Sequence, residues 1–464
     1  MEQLAARRAH NPEVGGSSPS PATIIFVKNR GRRLKKFLLL ILLLFSKIPI
    51  YKIILTFSKN KYKMIKLVEP KKGEKNMEST KISEKIKYIG ANDKELKIFE
   101  NQYDLPNGIA YNSYVIKDEK IVVMDTIDRR KTDEWLKNLE NELQGRNVDY
   151  LVISHLEPDH AGSIKIFLDK YPNTTVVGNS KTFEMLPQFF EIKPEIKKIV
   201  VKEGDTLNIG KHTLQFIMAP MVHWPEVMVT YEQTEKILFS ADAFGKFGII
   251  EDGDDDWACE ARRYYFGIVG KFGTSVQRLL NKAKNLDIKT ICPLHGPVLK
   301  EKLEYYINKY DIWSSYKPEE EGILIACASI YGHTMEAAKK LEEILKSKGA
   351  KKVVLTDLAN DDIDEAVEDA FRYSTVVLAA SSYNGKVFPP MEHFLNKLKD
   401  RNYKNRTMAI IENGSWAPSA ARTMKEIIGN MENINLLDKI VTIKSAMKDN
   451  NVKELKELAE ELNK

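Results

Sequence analysis

Five copies of one pattern occupy the last third of the chain. A short apolar strand is followed each time by an amphipathic helix. The predicted pairs are 323–327 with 335–346, 352–355 with 363–371, 375–379 with 391–398, 407–411 with 420–431, and 439–443 with 452–462. Parallel strands need a crossover about this long, so the repeat predicts a five-stranded parallel doubly wound sheet covered by helices on both faces. The polar stretch Tyr316-Lys317-Pro318-Glu319-Glu320-Glu321-Gly322 precedes it, and the expected domain boundary lies between residues 317 and 318.

Ligands of such sheets sit beyond the carboxyl ends of the strands, at the switch point. Three loops there carry suitable chemistry. Ser329-Ile330-Tyr331-Gly332-His333-Thr334 follows the first strand, and its hydroxyls and backbone N–H groups can hold a phosphate dianion at a helix start without a lysine. Ser381-Ser382-Tyr383-Asn384-Gly385 follows the third strand, and Glu412-Asn413-Gly414-Ser415-Trp416 the fourth. Glycine in each loop allows positive φ and close approach to a flat ring, which Tyr383 or Trp416 could shield. Ser/Gly/Thr-rich turns also occur with no ligand at all. Together the three loops resemble those of flavodoxins, and the resemblance implies FMN.

Residues 77–315 read differently. Short strands are expected at 113–116, 120–124, 149–154, 174–177, 213–217, 227–231, 236–240 and 290–291. Amphipathic helices are expected at 131–143, 162–170 and 267–284, giving sheets covered by helices. The chemistry again gathers at strand ends. Strand 150–153 runs into Ser154-His155-Leu156-Glu157-Pro158-Asp159-His160-Ala161-Gly162, where Pro158 predicts a loop. His223, Asp242 and His295 follow other strands. A lone strand-end histidine is usually structural, and an aspartate before a turn is usually a cap. Four of the chain's eight histidines in one such series are harder to dismiss, because burying them with carboxylates costs desolvation unless a cation is bound.

Charge and cysteine content narrow the field. The net charge of +6 misleads, because residues 1–76 hold 17 Lys+Arg against 4 Asp+Glu, leaving 54 against 61 elsewhere. The remainder is mildly acidic and has no basic stripe for nucleic acid. Cys259, Cys292 and Cys327 cannot build a disulfide framework, a Cys₄ zinc site or a four-cysteine cluster, which fits a reducing, cytoplasmic setting. Residues 1–23 resemble a translated transfer-RNA gene. Residues 37–46 form an apolar run behind Arg32, Arg33, Lys35 and Lys36, too short to span a bilayer and without a small-residue cleavage site. Gly73-Glu74 fits a purine-rich ribosome-binding sequence just before Met77. The expectation is a mis-assigned start, with 1–76 a non-native extension, the protein beginning at Met77, and no membrane association for 77–464. The alternative is a membrane-directing segment.

The His-x-Glu-x-Asp-His motif, followed by isolated His, Asp and His, resembles the metallo-β-lactamase superfamily. With glutamate in the third position and a flavodoxin-like module behind, residues 77–464 resemble the flavodiiron proteins. That resemblance implies an αββα sandwich of the metallo-β-lactamase type over 77–317 and a flavodoxin-like domain over 318–464. It implies one iron held by His155, Glu157 and His223, another by Asp159, His160 and His295, and Asp242 between them. Where zinc hydrolases of the superfamily have histidine, Glu157 adds a hard oxygen donor, which suits iron. Tyr264, Tyr265 and Phe266 are expected in the core rather than in the pocket. The implied activity is reduction of dioxygen to water or of nitric oxide to nitrous oxide, as oxygen or nitrosative stress defence in an anaerobe. Electrons would come through FMN from rubredoxin, or from a deazaflavin in a methanogen. The implied assembly is a head-to-tail homodimer, or a tetramer built from it. A dinuclear zinc hydrolase with a flavodoxin-like appendage, and an electron carrier whose first domain has lost its metal, are the alternatives. Metal and flavin analysis separates them.

Overall fold

A computed structural model describes residues 82–191, 196–250 and 256–463. The expectations for residues 1–77 lie outside them.

Two sheets build the first half. One has the spatial order Ile86–Tyr88, Tyr114–Lys117, Ile121–Met124, Tyr150–Val152, Thr175–Asn179, Lys198–Val201. Its last four strands are parallel. The other runs Thr206–Asn208, Thr213–Met218, Met228–Glu232, Ile237–Phe239 as an antiparallel meander, then adds Thr290–Cys292 in parallel. The two sheets meet through alternate residues. Tyr114, Ile116, Val122, Met124, Val152 and Val177 of one pack with Leu214, Phe216, Met228, Ile237 and Phe239 of the other. The opposite face of the first sheet is covered by Trp135, Leu136, Leu139 and Leu143 of the helix Thr132–Leu143. The second sheet is covered by the helices Trp257–Tyr264, Gly273–Ala283 and Leu303–Ser314. This is an αββα sandwich.

The second half holds five parallel strands in the spatial order Val353–Asp357, Glu320–Ala328, Tyr373–Tyr383, Arg406–Asn413, Ile434–Ile443. The second strand in sequence lies outside the first and the third lies inside, so the switch point falls between Glu320–Ala328 and Tyr373–Tyr383. The apolar core runs on from the first half. Phe266 stacks on Phe371 with centroids 3.9 Å apart. Beside this contact Arg262 forms a buried fork with Glu319, Nε to Oε2 at 2.7 Å and Nη2 to Oε1 at 2.9 Å, and also pairs with Glu368.

Three local expectations are corrected. Pro158–Ala161 is a short helix rather than a loop, because Pro158 occupies its first turn, where no N–H is needed. The helix expected over 162–170 begins only at Ile164. The one over 267–284 is broken into a π turn over Tyr265–Val269, a 3₁₀ turn over Gly270–Phe272, and the α-helix Gly273–Ala283. At Gly273 a Cβ would lie 2.4 Å from the Ser314 carbonyl oxygen, so the backbone approaches the neighbouring helix too closely for any side chain. Among the described residues no helix is long and apolar enough to cross a membrane.

Candidate metal centre and flavin-type loops

The loop after Tyr150–Val152 is pinned from behind. Asp125 Oδ1 accepts the Ser154 N–H at 2.6 Å, and Glu226 Oε1 accepts the Leu156 N–H at 2.9 Å. The helix turn at Pro158 then points Asp159 and His160 the same way as His155 and Glu157. His223 comes from the loop between Thr213–Met218 and Met228–Glu232. Asp242 and His295 follow the strands Ile237–Phe239 and Thr290–Cys292. Both sheets thus supply donors at one edge of the sandwich.

The seven side chains form two groups. His155, Glu157, His223 and Asp242 offer donor atoms within 4.8 Å of one another, as do Asp159, His160 and His295. In the first, Glu157 Oε2 lies 3.3 Å from His155 Nε2 and 3.0 Å from His223 Nε2. In the second, Asp159 Oδ2 lies 3.3 Å from His160 Nε2 and 3.1 Å from His295 Nε2. Asp242 faces both. Its Oδ2 is 3.3 Å from the Nε2 atoms of His155 and His223, and its Oδ1 is 3.0 Å from His160 Nε2 and 3.8 Å from His295 Nε2.

The electrostatics are those of a cation site. Burial works against charge on His160, but Asp159 and Asp242 hold it at about 9. Burial likewise opposes charge on His223, and the carboxylates of Asp242 and Glu157 beside it hold it at about 9. His155 is held well above its ordinary value, because Glu157 and Glu226 outweigh its burial. Burial raises Asp242, but His160 and the other imidazoles bring it well below the carboxylate range. Both Asp159 oxygens, Asp242 Oδ2 and His295 Nε2 are buried and find no hydrogen-bond partner among the described residues. Inward-facing donors without hydrogen bonds are what a bound cation satisfies. Four imidazoles and three carboxylates, one between two groups, therefore fit a pair of divalent metals, and the mixed imidazole–carboxylate set fits iron.

Aromatic rings wall the centre. Trp224 meets His155 edge-on at 5.1 Å, and Phe189, 39% exposed, stacks on Trp224. Phe99 and Tyr264 lie 5.7 and 5.3 Å from the His295 ring. Tyr264, Tyr265 and Phe266 all lie in the core as expected, and the Tyr264 ring also meets that of His295. Sequence reasoning missed two acids here. Glu226 sits three positions beyond His223, where the His-Trp-Pro-Glu string was its only signal. Glu100 is raised to about 7 by partial burial of its carboxyl and by the neighbouring Glu157. It stands in the turn of a hairpin, Ile98–Phe99 against Tyr103–Asp104, that pattern reading did not resolve.

In the second half, the three loops occupy the carboxyl ends of their strands. Gly332 has φ +93° with no atom within 4 Å of a hypothetical Cβ, and Gly385 has φ +73° with equal space. Gly332 N–H donates to Ser329 Oγ at 3.0 Å, while Thr334 Oγ1 and Ser381 Oγ share a 2.9 Å bond. Tyr331 and Trp416 are 91% and 92% exposed, and Tyr383 is 45% exposed. Ile330, His333, Asn384 and Ser415 are also exposed. Uncovered rings beside open glycine loops fit a flat anionic cofactor. Gly414 departs from the expectation. It lacks positive φ, and its Cβ would meet Pro418 Cα at 2.7 Å. Ser382 and Asn413 are engaged internally, Ser382 Oγ accepting the Ser419 N–H and Asn413 bonding Ser445 through both amide atoms.

Comparison with known proteins agrees with this architecture. Residues 109–296 match the ODP family beta lactamase model, and residues 324–454 match a flavodoxin domain. The chain is 28% identical to the anaerobic nitric oxide reductase flavorubredoxin of Vibrio vulnificus, over 72% of this chain and 70% of that one. It is 29% identical to an uncharacterized protein of Methanocaldococcus jannaschii, over 81% of this chain and 96% of that one. Among solved structures, the flavodiiron protein of Giardia intestinalis superposes with TM-score 0.77 at 25% identity, over 85% of this chain and 97% of that one. The rubredoxin oxygen:oxidoreductase of Desulfovibrio gigas shares the fold, with TM-score 0.78 at 24% identity, over 82% and 97%. Fold and site define a two-domain protein, a metallo-β-lactamase-like domain followed by a flavodoxin domain. In this architecture and in its matches the chain is similar to the flavodiiron proteins.

Proposed function

We propose that the chain is an oxidoreductase that reduces dioxygen to water, nitric oxide to nitrous oxide, or both, using two irons in its first domain and FMN in its second. The observation that carries this is Asp242, with one carboxylate oxygen toward each of two donor groups, one of which contains the carboxylate Glu157. His155, Glu157 and His223 would hold one iron, Asp159, His160 and His295 the other, and Asp242 both. The loops at 329–334, 381–385 and 413–416 would hold FMN, with Ser329, Gly332 and Thr334 at its phosphate.

Bound iron supplies one-electron redox steps and open coordination positions, and FMN passes electrons singly. The chain's own residues orient and exclude. The Ala110 carbonyl oxygen accepts from His295 Nδ1 at 2.8 Å and so presents Nε2 inward. Trp224, Phe99 and Tyr264 keep the surroundings apolar, which suits a small uncharged diatomic substrate and disfavours bulk water. Glu157 is the most exposed of the seven, its side chain 12% open, so the approach lies on its side.

The finer parts of the proposal are an external rubredoxin-type donor, or a deazaflavin, and a cytoplasmic head-to-tail homodimer joining the flavin of one copy to the irons of the other. The domain boundary is placed between residues 317 and 318. The test is anaerobic gas consumption by protein loaded with iron and FMN and reduced by rubredoxin and its reductase. Fast use of dioxygen alone makes it an oxidase, and fast use of nitric oxide alone makes it a nitric oxide reductase. Use of neither, with two irons and one flavin bound and a deazaflavin donor equally inactive, would overturn the proposal in favour of zinc hydrolase assays.

A further inference from the structure

All four candidate imidazoles turn Nε2 toward Asp242, so each Nδ1 points away from the centre. What stands behind them differs. His295 Nδ1 donates to a neutral carbonyl, that of Ala110. His160 Nδ1 is buried without a hydrogen-bond partner among the described residues. His155 Nδ1 donates to a carboxylate, Glu226 Oε1, at 2.8 Å. Glu226 is completely buried. Its Oε1 also takes the Leu156 N–H, and its main-chain oxygen accepts Asn179 Nδ2 at 2.6 Å. Asn179 ends a strand of the first sheet and caps the next helix through the Thr182 N–H. The residue is therefore fixed against the framework through its side-chain Oε1 and through its main chain.

Structure alone does not call for an acid here. Glutamine would accept the same two N–H groups at Oε1 with no charge to desolvate. A buried carboxylate whose Oε2 has no hydrogen-bond partner among the described residues is costly unless cationic charge stands nearby. The charge is accounted for by the ring it touches. A carboxylate behind an imidazole fixes the tautomer and makes the far nitrogen a stronger donor, which favours the more oxidised metal.

We propose that Glu226 is a positioning residue that holds His155 as its Nδ1–H tautomer and makes the metal bound by His155, Glu157 and His223 the more electron-rich of the pair. This rests on the diiron reading. The two metals are then electronically inequivalent although their donor sets are nearly matched, and the difference originates outside the coordination sphere.

The experiment uses the full chain loaded with Mössbauer-active iron and FMN, compared with Glu226→Gln and Glu226→Asp. Iron content, the diferrous Mössbauer doublets and a redox titration are read. In Glu226→Gln one doublet should move while the other stays. The ferric-to-ferrous ratio of the moved site at fixed potential should fall about tenfold. Glu226→Asp keeps the charge, so it should shift the same doublet less. If Glu226→Gln loses iron, Glu226→Asp should retain it, and equal loss in both would overturn the assignment. Unchanged doublets, or equal movement of both, would also overturn it while leaving the diiron reading intact. A wild-type chain that does not take up two irons would overturn both.

Discussion

Loading the metal-free protein with ferrous iron at pH 7.5 is expected to release about three protons per chain. The number follows from the apo site. An imidazole must be neutral to ligate, and His160 and His223, each held at about 9, are ~97% protonated at that pH. His155 is held well above its ordinary value by Glu157 and Glu226 against its burial, and adds the third. Glu157 and Asp242 lie below the carboxylate range, are already ionised, and release none. Glu100, at about 7, faces Glu157 and adds ~0.2 as the metals' charge completes its ionisation. Apparent affinity should therefore rise steeply with pH up to about 9, the range in which His160 and His223 lose their protons. Calorimetry in two buffers of different ionisation enthalpy, or an indicator dye in weak buffer, counts the protons. Release below one proton at pH 7.5 would refute the claim that these imidazoles are the ligands.

Three other outcomes are expected. Glu319, 5% exposed, accepts from Arg262, from Lys309 Nζ at 2.5 Å and from Trp313 Nε1 at 2.7 Å, so Glu319→Ala should cost about 3–5 kcal/mol in urea unfolding, and a loss below about 1 kcal/mol would show the pair is not buried in solution. His212 lies between Asp118 Oδ2 at 2.6 Å and Glu235 Oε1 at 3.1 Å, and these bonds raise it despite its burial. Its stabilisation is complete below about pH 6.5 and is lost as pH rises through its raised value, so thermal melts from pH 6 to 9 should fall more for wild type than for His212→Gln. Gly332→Ala meets no atom but must adopt φ +93°, at a cost of about 1–2 kcal/mol, so flavin fluorescence should report about tenfold weaker FMN binding, and unchanged affinity would mean the loop does not hold the phosphate in this conformation.

The second half was legible in the sequence because its three central strands are buried on both faces and its two edge strands keep the same strand–helix repeat. The expected strand 375–379 is the centre of Tyr373–Tyr383, and 323–327 lies inside Glu320–Ala328, with misjudged ends and correct order. In the first half, long strands such as Thr213–Met218 showed their alternation. The two-residue strands Ile98–Phe99 and Tyr103–Asp104 are too short to carry a period, so the hairpin that brings Glu100 to the centre was invisible. Glu226 was hidden for another reason. It is one acid among 65 Asp+Glu, and only the fold places its carboxylate behind His155. The four clustered donors at 155–160 stood out because a loop so rich in donors has no inexpensive burial. The breaks near Gly267 and Gly273 depend on the Tyr103 ring and on a neighbouring helix, neither of which periodicity can show.

Each donor group takes side chains from both sheets. His155 and Glu157 follow a strand of the first sheet while His223 belongs to the second, and Asp159 and His160 are likewise joined by His295. A metal pair there would cross-link the sandwich at its edge, adding to the apolar contact of Tyr114 with Phe239 between the sheets. Without metal, the same crossing is made by imidazolium–carboxylate pairs, His223 to Glu157 and His160 to Asp242, each at 3.0 Å. Protons thus stand in for the cations and hold the donors near their working positions. The arrangement is one-sided in pH. For His160 and His223, whose values are raised to about 9, the stabilisation of the apo form is complete below about pH 6.5 and is lost as pH rises through 9. The same alkaline shift favours metal binding, so the site changes one set of cross-links for another rather than coming apart.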